Sequence, residues 1–319
     1  MAEIVGVGHC CQDYLCVVRE YPPEDGSTRI LEIRTQGGGA VATALVAASR
    51  LGASAAYIGN LGADAVGDEI IAELVREGVD VSAVERLDGV SSLVSYVMIN
   101  PSRGTRTKFP LLDRTPPIRW TDRQVEMLRQ AKVLHLDGTN FANAHKAATL
   151  AKQSGVIVSL DGGTGHADNA LNVELASMAD ILIMSATYPT RVTGLESLEE
   201  ALIEMGTWGP QIVMATVGAR GVYALVDGRV RHFPAKPAQV VDTTGAGDVF
   251  HGAFLAAYLR GYELEACIDA AQYAAARKCE QMGGRAGIPR GDQVWEYLTT
   301  KRQREVAAGP VPDGPGADE

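Results

Sequence analysis

From Val133 onward the chain alternates short apolar runs with amphipathic stretches about ten residues long. "KVLHLDG" leads into "AHKAATLAKQSG", then "VIVSLDGG", a helical run, "DILIMSA", another helical run and "QIVMATVG". Runs rich in Val, Ile and Leu fit strands buried on both faces, and the amphipathic stretches supply helices to cover them. The pattern predicts an α/β fold: a three-layer, doubly wound, mostly parallel sheet with helices on both sides. "MAEIVGVG" reads as its first strand. Polar residues follow the strands: Asp13 shortly after "IVGVG", Asp137 after "VLHL", Asp161 after "VIVSL", Ser185 after "ILIM" and Thr216 after "IVMA". Ligands of such sheets bind at that carboxyl edge.

Two stretches break the alternation, 14–35 with "TRILEIRT" and 91–110 with "SSLVSYVMIN" and "RTKFP". They read as antiparallel strands inserted into the domain, a small β lid over the carboxyl edge. Unpaired lid edges need covering, which predicts a homodimer formed through the lid. The domain is expected to span 1–300, with 301–319 as a flexible tail, because "GPVPDGPGADE" cannot bury enough surface to order itself.

Composition narrows the partners. With 46% apolar and 21% charged residues in 319, the chain has a sizeable core. A net charge of −10 argues against a nucleic-acid or anionic-membrane surface and favours a small-molecule partner. Five cysteines without paired spacing suggest neither a disulfide framework nor zinc, so a reducing cytoplasm is the expected compartment. No export signal or membrane-length apolar run is apparent.

"GVGHCC" has only two glycines of a dinucleotide fingerprint, and GxxxxGK[ST] is absent, so a phosphate cradle must be built differently. "VVDTTGAGDVFHGAF" puts Gly245 and Gly247 in a turn that opens an apolar helix, where unpaired N–H groups attract anions. Asp248 is there either a helix cap or a base beside a bound phosphate. "TQGGGAVATALVAASRLGA" puts Gly37–Gly39 at a second helix start, either for tight packing or for close approach of a polar ligand.

These two segments resemble the signatures of the ribokinase-type (PfkB-type) carbohydrate kinases, and the similarity runs from about residue 3 to residue 290. "VVDTTGAGDVFHGA" and "GGRAGIP" are similar to the sulfofructose kinase branch, "YPPED" and "KC" to the ketohexokinase branch. The resemblance implies a ribokinase-like fold and Mg-ATP-dependent phosphorylation of a sugar hydroxyl. Gly245, Ala246 and Gly247 would donate N–H groups to the transferring phosphate, with Asp248 as base. Asp13 matches the sugar-binding aspartate, and Gly38, Gly39, Lys108, Asp137 and Asn140 fall on the acceptor side. Thr216, Gly218 and Gly221 match the ribose and adenine segment, and Cys279 and Gly283 fall where the family closes the adenine pocket. Cys279 reads as a buried small apolar residue rather than a reactive thiol. Asp242 and Thr244 match positions that hold a monovalent cation such as K+ in many members, although turn capping also explains them.

The chain departs from the family at two places. Ser185 and Tyr188 stand where an NxxE element organises magnesium, and Gly39 and Ala42 replace asparagines that contact the sugar. Lys108 is the cation among Ser27, Lys108 and Thr139, where a sulfonate would be gripped, with Arg29, Arg103 or Arg106 able to assist. The expected activity is transfer to a primary hydroxyl of a ketose or furanose. A nucleoside kinase, signalled by base-stacking aromatics among Tyr14, Tyr96 and Phe109, and a silent binding regulator are the alternatives.

Overall fold

The computed structural model describes residues 1–103, 105–111, 115–163 and 167–308, with side chains through residue 304. Its strands are β1 (Ile4–Val7), β2 (Cys11–Val18), β3 (Ile30–Gly38), β4 (Ala55–Gly62), β5 (Val79–Leu87), β6 (Val94–Asn100), β7 (Thr105–Pro110), β8 (Val133–Leu136), β9 (Ile157–Asp161), β10 (Ile181–Ser185), β11 (Ile212–Thr216), β12 (Val222–Val226) and β13 (Arg229–Phe233). Nine of them form one sheet in the order β13-β12-β11-β10-β9-β8-β1-β4-β5. Neighbours from β5 to β11 are parallel, and β12 and β13 add an antiparallel edge.

Alternation along each strand divides the core between the two faces. Ile4, Val133, Ile181 and Ile183 pack with α1 (Ala40–Arg50), α2 (Ala65–Arg76), α8 (Ala246–Leu259), α9 (Leu264–Cys279) and α10 (Gly291–Ala308). Val5, Val7, Leu134, Leu136 and Leu182 face α3 (Asp122–Arg129), α4 (Phe141–Gln153), α5 (Asn169–Met178), α6 (Thr187–Thr193) and α7 (Leu198–Gly206). Phe254 on α8 is fully buried, so truncating it to Ala would cost about 3–5 kcal/mol. Helix starts are fixed locally. Asp64 caps α2 by accepting from Gly67 N at 2.8 Å, and Thr121 with Gln124 forms a capping box on α3.

The second sheet has the order β3-β2-β6-β7 and lies outside the main one. β2–β3 and β6–β7 pair antiparallel as expected, but the inner strands β2 and β6 run parallel, so the sheet joins two sequence-distant segments. It also reaches further than 14–35, since β2 begins at Cys11 and β3 continues through Gly38. Asp13 therefore sits on a lid strand rather than at the edge of the main sheet. Polar Gln12 and Asp13 hid this because their side chains are buried within the sheet's reach of the core.

The C-terminal boundary also moves. Helix α10 continues through 301–308, beyond the expected end of the domain at 300, because "TTKRQREVAA" contains no Gly or Pro. Tyr297 stacks on Tyr273 of α9 at 4.2 Å between ring centroids, and Lys301 pairs with Asp269, which hold the helix in place. The remainder, 309–319, lies outside the described residues. Among the described residues no helix is long and apolar enough to cross a membrane.

Candidate active site

The turn before α8 is built from buried Asp242. Its Oδ1 accepts from Thr244 N at 2.9 Å and Thr244 Oγ1 at 2.7 Å, and its Oδ2 accepts from Gly283 N at 2.8 Å. Burial pushes the Asp242 pKa up, but these donors outweigh it and hold the carboxyl below its ordinary range. Gly245 follows in the left-handed region at φ 76°, and an added Cβ would lie 2.8 Å from the Gly284 backbone. Only glycine fits there.

Helix α8 starts at Ala246 with Gly245 as its N-cap and no side-chain cap. The N–H of Ala246 closes the turn onto Thr243 O at 3.2 Å, so it is not the free donor expected of it. Gly245 and Gly247 keep N–H groups without a main-chain partner among the described residues. Asp248, in the first turn, is therefore not the cap. Its carboxyl is raised above the ordinary range first by burial and then by the charge of Asp161, against the pull of Lys108, His251 and His9. A carboxylate held uncapped beside main-chain donors at a helix N-terminus can accept a proton next to a bound anion.

Behind it lies a pair that the sequence did not announce. His251 Nε2 stands 3.3 Å from Asp161 Oδ1 at the end of β9, and that oxygen also accepts from Gly163 N at 2.7 Å. Burial pulls the His251 pKa down, but Asp161 more than compensates and leaves it raised; Asp161 is correspondingly held low despite its own burial. His135 flanks the ring at 5.3 Å between centroids, and burial drives its pKa down to about 3. The clue was His251 falling three residues after Asp248, one turn further along an apolar helix.

On the acceptor side, Asp13 is 8% exposed. Gly38 on the paired strand is required by it, because a Cβ there would fall 2.3 Å from Asp13 Oδ2. Burial raises the Asp13 carboxyl, with Cys11, Arg285, His9 and Lys108 pulling the other way. Lys108 on β7 thus acts on both Asp13 and Asp248. Two residues earlier, Arg106 donates to Thr243 Oγ1 at 2.5 Å, joining the lid to the turn before α8. Gly39 N-caps α1 directly behind β3.

Asp137 and Asn140 share a cleft of about 70 Å³ with His9, Tyr57, Asn60 and Asn143. Both are engaged locally. Asp137 accepts from His9 N at 2.7 Å and Thr139 N at 2.9 Å, and Asn140 caps α4 through Asn143 N at 3.1 Å.

Beyond the α8 turn, an apolar cavity of about 490 Å³ gathers Thr216, Gly218, Gly221, Cys279, Ala246 and Gly247. Phe250 and Pro237 line it as well. Cys279 is a buried thiol whose pKa is raised by burial, which suits a wall rather than a nucleophile. Gly283 does not line that cavity; it donates its N–H to Asp242 Oδ2 on the turn before α8. Ser185 Oγ donates to Gly163 O at 2.9 Å and buried Tyr188 reaches Asn172 O at 3.4 Å, so neither offers an unengaged ligand where magnesium would be organised. Asp242 and Thr244 are a poor fit to a monovalent metal: Oδ1 accepts two protein donors and Oδ2 one, and the Asp242 carbonyl already accepts from the Lys278 ammonium at 2.7 Å, a cation in place beside the turn.

Residues 1–290 match the pfkB family of carbohydrate kinases. The chain is 28% identical over 302 residues to a nucleoside kinase of Methanothermobacter thermautotrophicus, covering 94% of this chain and 96% of that protein. It is 28% identical to the ketohexokinase of Mus musculus, covering 88% and 97%. Among solved structures, the ribokinase of Arabidopsis thaliana complexed with ribose and ATP superposes with a TM-score of 0.82 at 27% identity, covering 93% of this chain and 99% of that one. The two-sheet architecture is ribokinase-like. A family match that spans the main sheet, the lid and the α8 turn places this chain in the pfkB family of carbohydrate kinases, phosphotransferases that act on an alcohol group.

Proposed function

We propose that this kinase transfers the γ-phosphoryl group of ATP to a primary hydroxyl of a ketose or furanose, with Asp248 as the general base. The observation that carries the reading is the position of Asp248: in the first turn of a helix without a side-chain cap, next to the cavity residues Ala246 and Gly247, beside Gly245 and Gly247 N–H groups that have no main-chain partner among the described residues, and within the field of Lys108 on the lid. ATP fits the cavity chemically, since the purine needs apolar walls and Gly218 and Gly221 allow close backbone approach. Its γ-phosphate would meet the α8 N-terminus, where the main-chain donors and helix dipole favour negative charge. Asp13 would accept hydrogen bonds from sugar hydroxyls and hold the acceptor, and Asp248 would take the proton as the alcohol attacks.

Magnesium carried in with the nucleotide supplies charge neutralisation. Asp161 would hold part of its water shell through Oδ2, the carboxylate oxygen that neither His251 nor Gly163 takes. Lys108 and Arg106 would add positive charge from the lid as phosphate charge redistributes, and lid closure would exclude water.

The nucleoside alternative draws support from the archaeal nucleoside kinase relative. Against it, Tyr14, Tyr96 and Phe109 are cross-strand neighbours on one lid face, while Asp13 and Lys108 occupy alternate positions and face the other way. No base-stacking wall is thereby offered to the cleft by these three. Their face is apolar and open, with Ile33 58%, Tyr96 47% and Phe109 55% exposed. It suits pairing with the same face of a second copy.

A coupled assay of ADP release over ketoses, aldoses, sulfosugars and nucleosides, run beside Asp248→Asn, tests the reading. Turnover on a ketose or furanose that collapses in the variant is expected. Equal rates in parent and variant would remove Asp248 as base, and preference for nucleosides would reassign the acceptor.

A further inference from the structure

The least expected side chain near the α8 turn is Lys278. It lies near the end of α9 with 0% of its surface exposed, whereas lysines normally keep the ammonium in water. Its Nζ donates to the carbonyl of Asp242 at 2.7 Å, so its hydrogen bond goes to main-chain oxygen rather than to a carboxylate. Around it, Asp242 is held by Thr244 and Gly283, and the Cys279 carbonyl accepts from Val241 N at 2.8 Å and Asp242 N at 3.1 Å. The end of α9 is thus pinned to the turn that delivers Gly245, Ala246 and Gly247. Gly287 packs on the other side, where a Cβ would fall 2.5 Å from Lys278 O.

We propose that the Lys278 ammonium is this kinase's built-in monovalent cation, a tethered positive charge that holds the 242–244 turn and frees catalysis from a requirement for K+. The inference rests on the kinase reading, because it concerns the turn that would bind the transferring phosphate. The physical argument is one of substitution. A weakly held monovalent ion and an ammonium carry the same charge and both bind carbonyl oxygen, and the Lys278 ammonium already occupies the Asp242 carbonyl that such an ion would use. Burial lowers the Lys278 pKa, while Asp242, Cys279 and Asp248 favour the charged form against Arg106. Arg106 from β7, Asp248 on α8, Asp242 before α8 and Cys279 on α9 are the charged and titratable groups acting on it. Lys278 is a positioning residue: it touches the turn, not the substrates.

The test uses the full-length protein at constant ionic strength in KCl, NaCl or tetramethylammonium chloride, with ADP-release rates and ADP affinity by calorimetry as readouts. The parent should vary less than about twofold among the three salts. Lys278→Met should lose at least about tenfold in tetramethylammonium and regain several-fold in K+ or ammonium. Rescue by a small cation distinguishes charge at this point from mere packing. Activation of the parent more than about fivefold by K+ overturns the proposal. So does a Lys278→Met variant as active as the parent in tetramethylammonium, or one that no cation rescues. If the variant does not fold, the parent's salt series decides alone. If no acceptor is turned over, the kinase reading fails separately, and the salt dependence of ADP binding still tests Lys278.

Discussion

Half-buried Asp248 and buried Asp13 both carry raised pKa values, and on the proposed reading Asp248 is the one that takes up a proton during turnover. If Asp248 is the base, kcat/KM falls as pH drops through its raised pKa, giving an acid limb above the ordinary carboxylate range that Asp248→Asn abolishes along with about 10²–10⁴-fold in kcat. Stability should move the other way. A carboxyl whose folded pKa lies above its unfolded value is destabilising when ionised, so Asp248→Asn should melt higher than the parent at pH 7 and match it more closely at acid pH. Gly38→Ala makes a separate prediction. The new methyl displaces the Asp13 carboxylate, so the acceptor KM rises at least about tenfold while the ATP KM changes little, which steady-state kinetics can separate. The turn with Gly245 and Gly247 was legible as the start of α8, because a glycine-rich turn running into an apolar stretch marks a helix N-terminus. Lys278, Arg285 and the His251–Asp161 pair were not, since nothing in a local window says that a lysine or histidine is buried. Arg285, for example, bonds Glu73 at 2.9 Å, a residue 212 positions away.

Among the elements, the helices and parallel strands followed their hydrophobic periods, and β8 to β11 fall where "VLHL", "VIVSL", "ILIM" and "IVMA" placed them. The lid was harder to read. Gln12 and Asp13 point to opposite faces of β2 and both are buried, as is Ser95 opposite Asp13, so polar positions there do not report which face meets water. The contact between α8 and β9 carries its own prediction. Asp161, with a lowered pKa, adds stability above the ordinary carboxylate value, and His251, with a raised pKa, adds stability below the ordinary imidazole value that is lost as pH rises through its folded pKa. The pair's contribution is therefore full from about pH 4 to about pH 6.5 and declines on either side. His251→Asn should flatten the alkaline decline in Tm, measured by thermal melts across pH; an unchanged slope would separate the decline from this pair.

At the scale of the whole molecule, the chain is one α/β body with a second sheet sewn from two distant segments, and its acidic surface carries an apolar lid face. If two copies meet there, Tyr96→Lys with Phe109→Lys should shift sedimentation from dimer to monomer while leaving the fold intact, because both side chains are already exposed. The tyrosines Tyr14 and Tyr96 stack at 5.2 Å on that face, one residue along from Asp13 on the inner side. Inserting or deleting a single position ahead of Asp13 within β2 would turn the acid outward and bring a phenol ring over the acceptor. On the proposed reading, a frame-preserving indel of one codon is therefore a short mutational step from a cleft that grips hydroxyls to a surface able to stack a flat heterocycle.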